Sequence, residues 1–283
     1  MKLNLNKFGK MFPFKKRKKS QKYFDNSLQN IAEKQEILFE NRKSSFEDNN
    51  SIDNNLVALL KPHSFESEQF KMLRTKLLFP GSGNAPRSIM VTSAALKEGK
   101  SFTAANLAIS IAQTTDRYVL LVDSDLRTPC IHTLFGFGEV RGLSEYLSGE
   151  VALSSLLLRT KVNGLTILPG GAPPHNPSEL LSSEKMTELL GEVKDKYSDR
   201  YVVIDSPPPL IMAGTTVIAR QVEGIVVVVK YGSTPVDLLT ELIDTVEKEK
   251  ILGIIINEST YYGHGRRGKY GKLYSGSLKN RFS

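Results

Sequence analysis

The sequence predicts an α/β fold, a doubly wound and mostly parallel sheet, on three observations. From Pro86 onward, short β-branched runs alternate with helical stretches. Runs such as Val226-Val227-Val228-Val229 and Ile254-Ile255-Ile256 do not alternate apolar with polar residues, so both faces of those strands must be covered by helices. Carboxylates stand directly at the ends of two apolar runs, at Asp123 and Asp205, where open parallel sheets gather their ligand-binding groups.

Residues 1–60 lack apolar periodicity and are rich in Lys, Asn, Gln, Ser and Glu, which predicts a disordered basic and polar arm. The spacing Phe65, Phe70, Leu73, Leu77 and Leu78 predicts an amphipathic helix over 64–79, with Ser64 as N-cap and Glu66 and Glu68 in the first turn. Pro80-Gly81-Ser82-Gly83 ends it. Ser88–Thr92 reads as the first strand and Lys100–Gln113 as a helix, with further strands at Tyr118–Asp123, Leu165–Leu168, Tyr201–Asp205, Gly224–Lys230 and Gly253–Asn257. Asn176-Pro177-Ser178-Glu179 and Thr234-Pro235-Val236-Asp237 each offer a cap followed by proline, which predicts two helix starts. The folded body is expected over 61–260 and a flexible basic, tyrosine-rich tail over 261–283.

Composition excludes several classes. A single cysteine, Cys130, cannot form an internal disulfide, and no apolar run approaches the roughly 18 residues of a spanning helix. Met1 to Ser20 is lysine-rich without a following apolar segment, so no secretory signal is expected there, and a cytoplasmic setting is. The net charge of +8 is unevenly placed. Residues 1–22 hold nine Lys or Arg and 261–283 hold six, with no acid in either, leaving 23 basic against 30 acidic residues in between. Basic tails on an acidic body suit tethering, regulation or self-association better than nucleic-acid binding, and no nucleic-acid partner is expected. The cluster Lys15, Lys16, Arg17, Lys18 and Lys19 has two equal readings: contact with anionic lipid, worth about 1 kcal/mol per charge near the surface, or a solvated tail.

Ser93-Ala94-Ala95-Leu96-Lys97-Glu98-Gly99-Lys100-Ser101 follows a predicted strand and opens a predicted helix. Backbone N–H groups and the helix dipole receive phosphate oxygens at such a place, lysine neutralises the terminal phosphates, and the serine hydroxyl can ligate Mg²⁺. Ala95, Leu96, Lys97, Glu98, Gly99, Lys100, Ser101 and Phe102 are therefore the candidate nucleotide-binding residues of a P-loop NTPase. Asp123, Asp125 and Arg127 follow one strand and Asp205 another, and a parallel sheet brings these ends to the edge carrying the loop.

In these motifs the chain resembles the bacterial tyrosine autokinases of capsule and exopolysaccharide synthesis, the CpsD/CapB type. The likeness runs from about 61 to 274: a Walker A loop at Ser93 to Ser101, Asp-x-Asp-x-Arg at Asp123, Asp125 and Arg127, and a Walker B at Ile204-Asp205-Ser206-Pro207-Pro208. The family's C-terminal tyrosine cluster is matched by Tyr261, Tyr262, Tyr270 and Tyr274. Leu143 to Gly149 and Leu168 to Leu181 resemble its linking segments.

The resemblance implies an ATP- and Mg²⁺-dependent tyrosine autokinase in which Lys100 holds the β- and γ-phosphates and Ser101, Asp123 and Asp205 serve the metal. Asp123 or Asp125 would take the tyrosine proton, and Arg127 is either a transition-state cation or a salt-bridge partner ordering the Asp pair. Four tyrosines at the cluster are the implied acceptors, modified between copies in a ring, with a membrane chain-length regulator as activator in trans and a phosphotyrosine phosphatase as antagonist. A cytoplasmic position peripheral to the inner face of the membrane follows. Glu68, Lys71 and Arg74 stand where the family has a ring contact, Lys71 replacing an arginine and losing its bidentate fork. Other departures are Leu96 and Lys97, where the family has proline and glycine, and Gly214, near which it has an acid. If position 97 needs positive φ, lysine there costs on the order of 1 kcal/mol or more. One alternative is a MinD/ParA-like positioning ATPase, which carries a signature lysine five residues before the loop lysine, where this chain has Ala95. A non-catalytic ATP-dependent scaffold is the other alternative.

Overall fold

The computed structural model describes residues 52–114, 118–196 and 200–259. Lys15 to Lys19 and the four tail tyrosines lie outside the described residues. The helices are α1 (Val57–Leu60), α2 (Phe65–Leu78), α3 (Lys100–Ala112), α4 (Ile131–Leu134), α5 (Leu143–Leu147), α6 (Pro177–Leu181), α7 (Glu184–Lys196), α8 (Gly214–Gln221) and α9 (Val236–Thr245). The strands are β1 (Ser88–Ser93), β2 (Tyr118–Asp123), β3 (Leu158–Arg159), β4 (Leu165–Leu168), β5 (Arg200–Asp205), β6 (Gly224–Lys230) and β7 (Ile251–Asn257).

Among the described residues the strands form one sheet in the order β3-β4-β2-β5-β1-β6-β7. All pairs are parallel except β3 with β4, which closes one edge as a short antiparallel strand. Period-2 alternation sends Ile89, Val91, Leu121, Val203, Val226 and Val228 to one layer, where they pack on Leu107, Ile109 and Ile111 of α3. Met90, Leu120, Val122, Ile204 and Val227 face the other layer, against Met186 and Leu189 of α7, Ile218 of α8 and Leu242 of α9. Each fully buried Val, Leu or Ile contributes about 1.5–3 kcal/mol, so the two apolar layers fix the sheet's position.

The expected helix at 64–79 forms as α2, and the Ser64 hydroxyl accepts from the Ser67 N–H at 3.1 Å with Glu66 and Glu68 in the first turn. Three local expectations are corrected. The run Ile254-Ile255-Ile256 is not covered on both faces, because β7 is an edge strand that leaves Ile254 and Ile256 exposed. Pro177 does open α6, yet the Asn176 side chain makes no cap bond, and α9 starts at Val236 with Pro235 as its N-cap. Thr234 instead accepts from the Lys230 N–H at 2.9 Å and turns to the phosphate loop.

The folded body also begins earlier than residue 61. Leu56 and Ala58 are buried against α3, and Asn106 in that helix accepts from the Ala58 N–H at 2.9 Å while donating to the Asn55 carbonyl at 2.9 Å. Gln113 adds a bond to the Ala58 carbonyl at 3.0 Å. The backbone at 55 and 58 is held by side chains from a distant helix, a pairing that leaves no local apolar period. Among the described residues no helix is long and apolar enough to cross a membrane.

Candidate active site

Strands β2, β5 and β1 are neighbours and end at one edge, and in register Asp123 lies opposite Asp205, which lies opposite Val91. The ladder continues one residue beyond: the Ser124 N–H donates to the Asp205 carbonyl at 2.8 Å and the Ser206 N–H to the Val91 carbonyl at 3.1 Å. Asp123 and Asp205 share the alternation of Leu121 and Val203, the residues packed against α3. Their carboxylates therefore lie on the side of the sheet where α3 begins at Lys100.

Between β1 and α3 the loop makes two left-handed turns. Gly99, the N-cap, has φ +91°, and a Cβ there would stand 2.0 Å from the Asn257 Nδ2, so glycine is required on both counts. Lys97 has φ +62° without being glycine, the strained conformation anticipated for that position, and its side chain is exposed beside Leu96. Glu98 is buried, and its Oε2 accepts from the Ala95 N–H at 3.0 Å, bracing the loop across its width. Phe102 packs its ring edge-to-face on Phe70 at 5.6 Å, which leaves its backbone, not its side chain, for an anion.

The carboxylates divide the work. Asp123 is fully buried and saturated: its Oδ2 accepts from the Cys130 and Ile131 N–H groups at 2.9 and 3.0 Å, and its Oδ1 from the Asp125 N–H at 3.2 Å. It thereby folds the segment 124–131 back over the strand end. Asp125 is paired at 2.8 Å with the Lys100 ammonium and accepts from the Thr128 N–H at 3.3 Å through its other oxygen. Asp205 has both oxygens buried without a hydrogen bond of good geometry, although the nearby Ser101 hydroxyl favours its charged form.

Burial raises the pKa of Asp123, and the Asp205 charge raises it further against the pull of the two backbone donors. Burial likewise raises Asp205, opposed by Lys100 and by the Ser101 hydroxyl. Burial alone would lower the Lys100 ammonium, but Asp205 and then Asp125 hold it above its ordinary value. Three buried acids facing one buried cation leave the fully ionised site two positive charges short of balance, and the orphaned Asp205 oxygens point to a divalent cation.

Mg²⁺ with phosphate oxygens fits that site. Among the described residues no group of three or more His, Cys, Asp or Glu could hold a metal alone. Mg²⁺ does not ask for one, since it uses one or two carboxylates, waters and substrate phosphates.

Several expected residues are placed elsewhere. Arg127 is exposed and makes no ion pair with a described residue, so it does not order the Asp pair; backbone N–H groups and Lys100 do. On α2, Lys71 pairs with Glu68 at 2.7 Å and donates to the Pro62 carbonyl at 2.8 Å. Arg74 turns inward to the Ser110 carbonyl at 2.9 Å. All three expected contact residues are thus engaged within the chain. Gly214 opens α8 and its N–H donates to the Ser178 hydroxyl at 3.0 Å, while a Cβ there would lie 2.4 Å from the Ser178 carbonyl oxygen. No acidic side chain fits at 214 against α6, so its absence follows from packing.

Sequence reading missed Cys130, Thr234 and Asn257. Cys130 adjoins the acids, and burial, then the Asp123 charge, pushes its thiol up to about 12, which makes it inert. Thr234 reaches the loop from the turn after β6 and Asn257 from the end of β7, and only the strand order reveals that reach.

No protein-family model matches the chain. It is 36% identical over 219 residues to the tyrosine-protein kinase YwqD of Bacillus subtilis, covering 77% of this chain and 91% of that one. With the tyrosine-protein kinase ptk of Acinetobacter johnsonii it shares 32% over 205 residues, 72% of this chain but only 28% of that longer protein. The kinase domain of Escherichia coli tyrosine kinase ETK superposes with a TM-score of 0.67 at 30% identity, covering 78% of this chain and 88% of that domain. The Pyrococcus horikoshii septum site-determining protein MinD, solved with Mg-ADP, superposes with a TM-score of 0.50 at 25% identity over 66% of this chain and 76% of that one.

Proposed function

The chain belongs to the bacterial tyrosine-protein kinases, and from that premise we propose that it transfers the γ-phosphoryl group of ATP to tyrosines of its own C-terminal cluster, one copy acting on the next. The observation that carries the reading is Asp205, whose two buried, unpartnered oxygens stand at the N-terminus of α3 beside Lys100 and Ser101.

In this reading, the N–H groups at the start of α3 and the Lys100 ammonium receive the phosphates, while Asp205 and Ser101 hold Mg²⁺. The metal supplies neutralisation of phosphate charge. Lys100 leaves Asp125 for the nucleotide, and the Asp125 Oδ2 that it frees takes the phenolic proton. Asp123, saturated by backbone donors, shapes the loop and is the poorer base. The bond from the γ-phosphorus to the bridging oxygen breaks, a bond to the tyrosine oxygen forms, and ADP leaves; catalysis is positioning and charge neutralisation. Arg127, exposed and unengaged by the Asp pair, supplies a cation to the transferring group.

Tyr261, Tyr262, Tyr270 and Tyr274 are the acceptors in a basic tail drawn to the acidic body of a neighbouring copy. A ring of copies, with α2 at the contact, an activator at the membrane, a phosphatase and a role in exopolysaccharide or capsule export complete the proposal. Glu68 and Lys71 offer their paired charges on the outer face of α2, and Arg74 stiffens that helix against α3.

Intact-mass and phosphopeptide analysis after incubation with Mg-ATP tests the chemistry. Phosphate on the cluster tyrosines, absent from Lys100→Met, is expected. ATP binding without phosphotyrosine, with candidate activator peptides present, would instead establish the nucleotide-dependent scaffold.

A further inference from the structure

The phosphate loop is held from outside its own strand and helix. Glu98 sits buried in the loop, and the hydroxyl of Thr234, in the turn after β6, donates to its Oε1. At the end of β7, the Asn257 Nδ2 donates to the Glu98 carbonyl at 3.0 Å. A buried carboxylate depends on such donors, because an unmet acceptor costs its full desolvation.

Both partners are themselves anchored. Thr234 Oγ1 accepts from the Lys230 N–H at 2.9 Å, and the Tyr231 N–H donates to the Asn257 carbonyl at 2.9 Å. Lys230 and Glu258 form an ion pair at 2.8 Å across the same strand ends. Asn257 is packed so closely on Gly99 that no side chain could stand between them. Two strands that contribute no acid to the site thus grip the loop between the β1 exit and Lys100.

Resting on the kinase reading above, we propose that Thr234 and Asn257 are positioning residues which, through Glu98, hold the phosphate loop in its nucleotide-receiving shape. Their loss weakens nucleotide binding while leaving the chemical step, carried by Lys100 and the Asp groups, close to intact. In sequence Asn257 stands four residues before Tyr261, so the strand that braces the loop directly precedes the proposed acceptors.

The test uses the full chain with Thr234→Val, which keeps shape and removes the hydroxyl, Thr234→Ser, which keeps the hydroxyl, and Asn257→Asp, which removes the donor. Mg-ATP affinity is measured by calorimetry, the phosphotyrosine rate at saturating ATP, and the melting temperature without nucleotide. Thr234→Val and Asn257→Asp are expected to weaken affinity about tenfold with kcat within about twofold of the parent, while Thr234→Ser keeps parental affinity. Adding Glu98→Gln to Thr234→Val should weaken binding no further than the worse single change, because both act through one contact.

Equal affinity for Thr234→Val and Thr234→Ser would overturn the proposal. So would a loss confined to kcat, or one that follows the fall in melting temperature alike in Val and Ser variants. If affinity shifts as expected but no variant, nor the parent, makes phosphotyrosine, the kinase reading fails and the positioning role stands.

Discussion

Asp205 concentrates the site's chemistry in one side chain. Its unpartnered oxygens lie in register with Asp123, and folding brings both into the interior, so each pKa stands above its unfolded value, at about 6 and about 8. An acid whose folded pKa is raised binds more protons in the native than in the unfolded state. Its contribution to stability is therefore present in acid and is lost as pH rises through the interval between the two values. For nucleotide- and Mg²⁺-free protein, these two groups should lower stability as pH climbs from about 4 to about 8. Asp205→Asn should flatten that decline and raise the neutral-pH stability, read from urea unfolding at several pH values. The same change should cut phosphotyrosine formation by about 100-fold or more, since the carboxylate proposed for the metal is gone. An unchanged pH slope with retained activity would place the burden elsewhere.

The phosphate loop trades backbone comfort for shape at one element. Lys97 holds φ +62° with an exposed side chain, so the strain is not offset by any described side-chain contact. Lys97→Gly should stabilise the protein by about 1 kcal/mol, or raise the melting temperature by about 2–4 °C, unless its charge serves the folded state; a fall in melting temperature would show that it does. The loop's existence was legible because Gly-Lys-Ser follows a β-branched run, and the convergence of Asp123, Asp125 and Asp205 was legible because parallel strands end on one edge. The strands from Tyr118, Leu165 and Gly224 could be read residue for residue, since a run buried on both faces is unambiguous between turn signals. What could not be read required partners distant in sequence. Asn106 ties down the backbone of 55–58, Arg74 bonds a carbonyl on α3, and Thr234 serves Glu98 rather than capping α9. Side chains that bond backbone across the fold leave no period, and a cap motif looks the same whichever partner its hydroxyl chooses.

At the scale of the whole molecule, charge and geometry point the same way. The acidic body places three carboxylates and one ammonium at the phosphate edge, and the basic tail, with its tyrosines, follows the strand that ends beside that edge. Transfer between copies is tested most directly by mixing two inactive halves of the reaction. One copy carries Lys100→Met with its tyrosines intact; the other keeps Lys100 and carries Tyr→Phe at 261, 262, 270 and 274. Each alone should form no phosphotyrosine at the cluster, and the mixture with Mg-ATP should place phosphate on the Lys100→Met copy, resolved by mass. Absence of phosphate on that copy, while the unaltered chain phosphorylates its own cluster, would contradict transfer from one copy to the next.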